Sequence, residues 1–291
     1  MSPKTIIFCG TPEFACPSLL ALRNDSAFEV THVITQPDKP KGRRQTLVAP
    51  PVKSLAEKLG IPVLQPSNIN ILLTGGTSKL KAPDFLVVVA YGQIFSKELL
   101  AWPTIAPINL HASLLPRWRG ASPIQHAILM GDQETGISVQ RMAEKLDTGP
   151  ILAQESTAIA PRETFQALHD KLSELGASLL IETLKNPLKE TPQNEGEATF
   201  CSKLTRSRGV TDPSTMTAEE IDHFVRALVP WPGVTTKIKG REVKLIEASL
   251  DPHPDALELA CAKGTTLFIL TAQSPGKKPM RGKEWKKGLQ S

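Results

Sequence analysis

The sequence predicts an α/β protein, with a doubly wound, mostly parallel sheet first and a small all-β domain after it. Three observations predict it. Thr5 to Gln36 read as strand, helix, strand at the spacing of a right-handed parallel crossover. Asp84 to Gly92, Asp-Phe-Leu-Val-Val-Val-Ala-Tyr-Gly, is the continuous apolar run of a central strand covered on both faces. After Val234 the apolar residues alternate with period two, in short runs separated by turn residues, as in a small barrel. The first pattern is Rossmann-like and the last OB-like.

Taking the elements in order, Thr5 to Gly10 is a buried-type strand, Pro17 to Arg23 a helix and Val30 to Gln36 a second strand. The first turn has Gly10 but no Gly-x-Gly-x-x-Gly, so a dinucleotide fingerprint is absent. Pro37 to Pro51 is a long loop carrying Lys39, Lys41, Arg43 and Arg44 against Asp38. Val52 to Leu59 reads as a helix, Pro62 to Gln65 as a strand, and Asn68 to Lys81 as a weak helix broken by Gly75-Gly76. Ser96 is a good cap for a short helix. Ile105 to Ser113 is the next strand, and Pro123 to Met130 a helix. Strands follow at Gly136 to Met142 and Gly149 to Ile159. Phe165, Leu168, Leu172, Leu175 and Leu179 step by three and four along a helix that reaches Lys185. The expected division is a catalytic domain over 1–185, a polar, Pro- and Gly-containing linker over 186–206 and the barrel domain over 207–291. Thr217-Ala218-Glu219-Glu220 has the capping-box pattern for a helix running to Leu228. Strands are expected at Val234 to Lys239, Val243 to Ser249, Leu257 to Cys261 and Thr266 to Thr271.

Composition narrows the function class. The 291 residues carry a net charge of +5 with ordinary apolar and charged fractions. No apolar run reaches membrane-spanning length, and the first ten residues lack signal-peptide anatomy, so a cytoplasmic protein without membrane contact is expected. Cys9, Cys16, Cys201 and Cys261 are scattered, which fits reduced thiols and offers no clustered ligands for a metal. Lys277, Lys278, Arg281, Lys283, Lys286 and Lys287 face only Glu284 near the C-terminus. A local basic tail of this kind suits either a polyanion partner or a solvated terminus. No exposed apolar helix stands out, so a monomer is the default.

The chemistry concentrates between Pro107 and Pro123. On a strand, alternate residues share a face, so Asn109, His111 and Ser113 can point the same way. In open parallel sheets ligands bind beyond the carboxyl ends of strands, where both this segment and Tyr91-Gly92 lie. An amide, an imidazole and, later, Asp147 in a Gly-bounded loop suit acyl or formyl transfer. Asn109 can donate to an oxyanion, His111 can donate or shuttle a proton, and Asp147 can accept from His111. Ser122 lacks the Gly-x-Ser-x-Gly elbow and no Cys adjoins a His, so direct attack by a substrate amine fits better than a covalent intermediate.

Asn109-Leu110-His111-Ala112-Ser113-Leu114-Leu115-Pro116, followed by Leu146-Asp147-Thr148-Gly149, resembles the signature of the folate-dependent formyltransferase family. Further segments resemble the branch of that family that formylates methionyl-tRNA. They are Phe8 to Phe14, Thr35 to Asp38, Val87 to Gly92, Arg117 to Gln125, Arg226 to Pro232 and Gly276 to Met280, all in the family's order. The resemblance implies formyl transfer from 10-formyltetrahydrofolate to the methionyl amino group of initiator methionyl-tRNA, without a metal. It implies Asn109, His111 and Asp147 as the catalytic trio. Ser113, Leu114, Leu115 and Pro116 match its folate-binding segment, and Val88, Tyr91, Gly92 and Leu146 are expected to wall the pterin pocket. Lys39, Lys41, Arg43 and Arg44 match its tRNA-entering loop. Trp118, between Arg117 and Arg119, is expected to stack on a terminal base while the arginines hold phosphate. Lys277, Lys278 and Arg281 belong to an expected second, backbone-reading tRNA surface. The chain departs from the family pattern around Leu72 to Lys81, Thr205 to Gly209 and Leu250 to Leu257.

Two other readings stay open at this level. One is a formyltransferase acting on a sugar-nucleotide or glycinamide ribonucleotide amine, or on water. The other is a non-catalytic RNA-binding protein that has kept the fold. Arg117-Trp118-Arg119-Gly120 and the Lys39 to Arg44 loop favour tRNA over the first, and the intact trio argues against the second.

Overall fold

Apolar runs bounded by turn residues become strands where alternation or continuous burial can satisfy them. In chain order the elements are β1 (Lys4–Gly10), α1 (Cys16–Asn24), β2 (Phe28–Ile34), β3 (Lys39–Lys41), β4 (Thr46–Val48), α2 (Pro51–Lys58), β5 (Val63–Leu64), β6 (Phe85–Val89), α3 (Lys97–Leu100), β7 (Ala106–His111), β8 (Arg119–Gly120) and α4 (Pro123–Leu129). Then come β9 (Glu134–Arg141), β10 (Ile151–Ala158), α5 (Phe165–Lys185), β11 (Phe200–Cys201), α6 (Ala218–Leu228), β12 (Val234–Ile238), β13 (Arg241–Ser249), β14 (Leu257–Ala260), β15 (Thr266–Gln273), β16 (Met280–Arg281) and α7 (Gly282–Gly288). The computed structural model describes residues 2–42, 45–73 and 80–288. By contact density it divides into two units. Met1–Gly120, Gly136–Thr157 and His169–Phe200 form the first; Ala121–Thr135, Ala158–Leu168 and Cys201–Ser291 form the second.

The first unit is built on a seven-stranded sheet of order β10-β9-β7-β6-β1-β2-β5. β5, β2, β1, β6 and β7 are parallel, and β9 runs antiparallel to β7. All five residues of β6 are buried, as a strand between two others and covered on both faces requires. On one face Ile7, Cys9, Ile34, Leu86 and Val88 pack with Tyr91, Phe95 and Leu99. Asp84 ties the start of β6 to β1: its Oδ2 accepts from Thr5 N at 2.8 Å and from Thr5 Oγ1 at 3.0 Å. α5 approaches β7 through Gly176, where a Cβ would stand 3.0 Å from Leu110 Cδ1. Leu110 thus faces helix, and the strand's pleat turns its neighbours Asn109 and His111 the other way.

The long loop after β2 is a hairpin, β3 against β4, with Lys39 opposite Val48 and Lys41 opposite Thr46. Its residues carry no period-two signal because Lys39, Pro40 and all of β4 are exposed, with no core face to select one. Arg43 and Arg44 lie outside the described residues. The expected weak helix after Asn68 is a short 3-10 turn at Ile69–Leu72, and Gly75-Gly76 also lie outside the described residues. Residues Asn186 to Thr199, expected as the start of a linker, are hydrogen-bonded to the first unit through Thr191, Gln193, Glu195 and Thr199.

In the second unit, β12, β13, β15 and β14 form an antiparallel sheet in that order, with β16 beside β15. α6 lays Ile221, Val225 and Leu228 into the core. Its Thr217 and Glu220 form the expected capping box. Buried Asp222 and Arg226 pair one turn apart at 2.8 Å, and Arg162 joins them through Asp222 at 2.7 Å. The segment Arg206–Gly209 is a 3-10 turn that sets the Arg208 guanidinium 5.4 Å from the centre of the Phe224 ring. Leu250 to Ala256, where the chain departs from the family pattern, is a turn between β13 and β14.

Candidate active site

Register places the polar side chains. β7 sets Asn109 beside Val88 of β6 and opposite Gln140 of β9, while His111 is opposite Ser138. Period two along both strands gives Asn109, His111, Ser138 and Gln140 one face. Gln140 is 1 % exposed, so both ends of its amide need partners. Its Nε2 donates to Asn109 Oδ1 and to Asp147 Oδ1, each at 3.2 Å. Asn109 Nδ2 donates to Val88 O at 3.1 Å. That bond takes one of its two amide hydrogens.

Asp147 arrives from the loop between β9 and β10, closed at its base by Arg141 N on Pro150 O at 3.0 Å. A side chain at Gly149 would run into the Arg141 carbonyl, so that position is restricted to glycine. Asp147 has φ +54°, a left-handed conformation that Asp tolerates better than most residues. Gly120 N donates to its Oδ2 at 2.8 Å. His111 Nδ1 lies 3.7 Å from Asp147 Oδ1, within ion-pair range but beyond a hydrogen bond. His111 Nε2 is 2.9 Å from Trp118 O. A carbonyl only accepts, so Nε2 carries hydrogen and Nδ1 is the nitrogen turned toward Asp147. The expected trio is therefore brought together, with Gln140 as a bridge that the sequence reading missed.

The loop after β7 is held from inside. Ser113 is buried and its hydroxyl donates to Arg117 O at 2.5 Å, so it braces the turn. Leu115 N donates to Ser138 Oγ at 2.9 Å, and Ser138 Oγ donates to Ser113 O at 2.7 Å. Leu114 and Pro116 are half-buried.

Burial corrects several expected contacts. Arg119 is 2 % exposed; its Nε and Nη2 donate to Gln193 Oε1, and Nη1 and Nη2 to Glu195. It is committed inside the first unit and does not present a phosphate clamp. Trp118 is 8 % exposed, with the Arg117 guanidinium 4.5 Å from its ring centre, so its faces are already covered. Its function in the fold is carried by the backbone: φ +59° aims its carbonyl at His111, and its N–H donates to Thr199 Oγ1 at 2.9 Å. Val88 and Tyr91 are core residues, Tyr91 edge-on to Phe95 at 6.0 Å. Burial pushes the Tyr91 hydroxyl's pKa up, and among the described residues that hydroxyl has no hydrogen-bond partner. Only the backbone of this stretch is offered: Gly92, exposed at φ +85°, has open space where a Cβ would stand. Leu146 is exposed on the Asp147 loop.

Lys39 is exposed in the hairpin; Lys41 lies in β3. Lys277 and Lys278 are exposed between β15 and β16, and Arg281 is 3.7 Å from Asp255. The four cysteines are free thiols, with Cys9 and Cys201 buried. Among the described residues no helix is long and apolar enough to cross a membrane.

A parallel-dominated sheet domain, a small β domain and an amide–imidazole–carboxylate cluster at the carboxyl end of β7 suit a transferase of the acyl-carrying kind. The chain belongs to the formyl transferase family: residues 4–184 match its Formyl transferase model and 214–290 its Formyl transferase, C-terminal domain model. Its relatives include the methionyl-tRNA formyltransferase of Myxococcus xanthus, 43 % identical over 306 residues that cover 99 % of this chain and 96 % of that one. The methionyl-tRNA formyltransferase of Geotalea daltonii is 43 % identical, covering 94 % and 91 %. Among solved structures, the N-formyltransferase from Helicobacter canadensis superposes with a TM-score of 0.67 at 18 % identity, covering 92 % of this chain and 98 % of that one. The sugar 3N-formyl transferase WlaRD gives 0.65 at 18 % identity, with 96 % and 100 % covered. At that identity the likeness concerns the fold.

Proposed function

We propose that the protein transfers a formyl group from 10-formyltetrahydrofolate to the methionyl amino group of initiator methionyl-tRNA, for translation initiation. The observation that carries this reading is the joined Asn109–His111–Asp147 cluster in a chain whose full-length relatives are methionyl-tRNA formyltransferases. A cytoplasmic monomer goes with that reading.

The residues present fit a folate. A flat pterin needs backbone donors and acceptors beside apolar surface. The exposed Gly92 backbone, with open space above it, and the exposed Leu146 supply both kinds of surface. Leu114 to Pro116 line the other loop. The bound folate supplies the formyl carbon; the chain's own groups do the rest. The second amide hydrogen of Asn109 points donor character at the formyl oxygen as it gains negative charge. His111, its Nε2–H held by Trp118 O, offers only Nδ1 for proton movement. Asp147 stands 3.7 Å from that nitrogen and is oriented by Gly120 N, which suits it to take a proton from the amine as the new carbon–nitrogen bond forms and to return it to the departing folate nitrogen as the bond from that nitrogen to the formyl carbon breaks. For the RNA, Lys39, Lys41, Arg43, Arg44 and Arg117 on the first unit and Lys277, Lys278 and Arg281 on the second provide positive charge.

Formylation of charged initiator tRNA, run beside charged elongator methionyl-tRNA and free methionine, tests the reading. Product confined to the initiator tRNA is expected. Folate turnover without formylated tRNA would move the acceptor to a sugar-nucleotide amine, a nucleotide amine or water.

A further inference from the structure

Resting on that reading, we infer that Gln193 is a positioning residue for the reaction, held by Arg119 and holding the Asp147 loop in its reactive conformation. Gln193 Nε2 donates to Asp147 O at 2.9 Å and to Gly149 O at 2.7 Å. These two bonds bracket the tight left-handed turn that aims the Asp147 carboxylate. Gln193 Oε1 accepts from Arg119 Nε at 3.0 Å and from Nη2 at 2.8 Å.

The direction of this amide is forced by its neighbours. A guanidinium only donates and a backbone carbonyl only accepts, so Gln193 presents oxygen to one and nitrogen to the other. Gln140 is fixed in the same way, because the Asp147 carboxylate accepts and Asn109 Oδ1 is turned toward it by the bond from Asn109 Nδ2 to Val88 O. Gln140 Oε1 is left facing Gln193 Nε2 at 3.4 Å. A polar chain therefore runs from Glu195 through Arg119 and Gln193 to the backbone of the Asp147 loop, and Gln140 ties that loop's carboxylate to Asn109. Networks of this kind fix geometry when every member is satisfied. Gln193 lies about fifty residues from the loop it holds, in a stretch whose composition reads as linker.

Gln193→Glu separates positioning from packing. The carboxylate keeps size and shape and pairs more strongly with Arg119, while the two donors to the Asp147 and Gly149 carbonyls become acceptors. In the full chain, with charged initiator tRNA and 10-formyltetrahydrofolate, kcat is expected to fall ~10- to 100-fold, the scale of a misplaced catalytic group. KM for the tRNA, folate affinity by titration and Tm are expected to stay near wild type. Gln193→Met, which removes the bonds without adding charge, is expected to lose kcat in the same range. A kcat within twofold of wild type in both variants overturns the inference. Parallel loss of kcat, folate affinity and Tm in both also overturns it, since that pattern marks a purely structural residue. The wild-type arm stands apart: absence of formylated tRNA there defeats the proposed acceptor, whatever the variants do.

Discussion

Asp147 shows how much of this site is decided by single hydrogen-bond directions. Both its oxygens face donors, Gly120 N at 2.8 Å and Gln140 Nε2 at 3.2 Å. Asp147→Asn must turn an NH2 toward one of them, opposing donor to donor, and removes the proton acceptor. Single-turnover formylation is expected to fall ~10²- to 10⁴-fold, the usual range for a general acid–base group. Near-normal single-turnover rates in a folded Asp147→Asn would refute the role. At this scale the sequence was legible where chemistry-bearing residues stood alternately on one strand, as Asn109 and His111 do. Ser138 and Gln140 carry the same signal, two polar residues alternating with Ile137 and Val139 on one strand. Arg119 and Gln193 carried none that a linear reading could use. A basic residue beside Trp reads as an RNA contact until a distant Gln and Glu are found around it.

Among elements, the buried strands and the capped helix were the legible ones because each has a local physical cause. β6 is apolar throughout, and α6 starts at a Thr–Glu box. The β3–β4 hairpin has no such cause, and the polar stretch around Gln193 owes its place to partners far away in sequence. Asp84 illustrates an element tie with a pH consequence. Thr5 N–H, then the Thr104 and Thr5 hydroxyls and the charge of Lys4, hold its pKa below the usual carboxylate value against the opposing effect of burial. A carboxylate lowered in the folded state stabilises it above the unfolded pKa, ~3.9, and that contribution disappears as pH falls through the lower folded value. Asp84→Asn is therefore expected to be less stable than wild type at pH 7, by roughly 1–2 kcal/mol for weakened charge-assisted bonds. The two denaturation curves should converge on acidification below about pH 4. A constant gap down to the acid limit would mean the ionised form of Asp84 adds nothing to the β1–β6 tie.

For the whole molecule the open quantity is how its positive charge is used. The net charge is only +5, so RNA binding through bulk charge alone would be weak, and placement has to supply what total charge does not. In the second unit, Arg281 and Lys283 lie 3.7 Å and 3.2 Å from Asp255, which offsets part of their field. Lys277 and Lys278 stand exposed on the turn that Gly276, at φ +72°, allows between β15 and β16. These two lysines are the natural candidates for phosphate contact in this unit. Each phosphate contact contributes roughly one unit to the slope of log affinity against log salt. The double variant Lys277→Ala, Lys278→Ala is expected to bind charged initiator tRNA more weakly, with that slope reduced by about two, while kcat at saturating tRNA is kept. An unchanged slope in the double variant, beside a reduced one for Lys39→Ala, would place the electrostatic contact on the hairpin of the first unit. The basic C-terminal residues would then be solvated charge rather than an RNA surface.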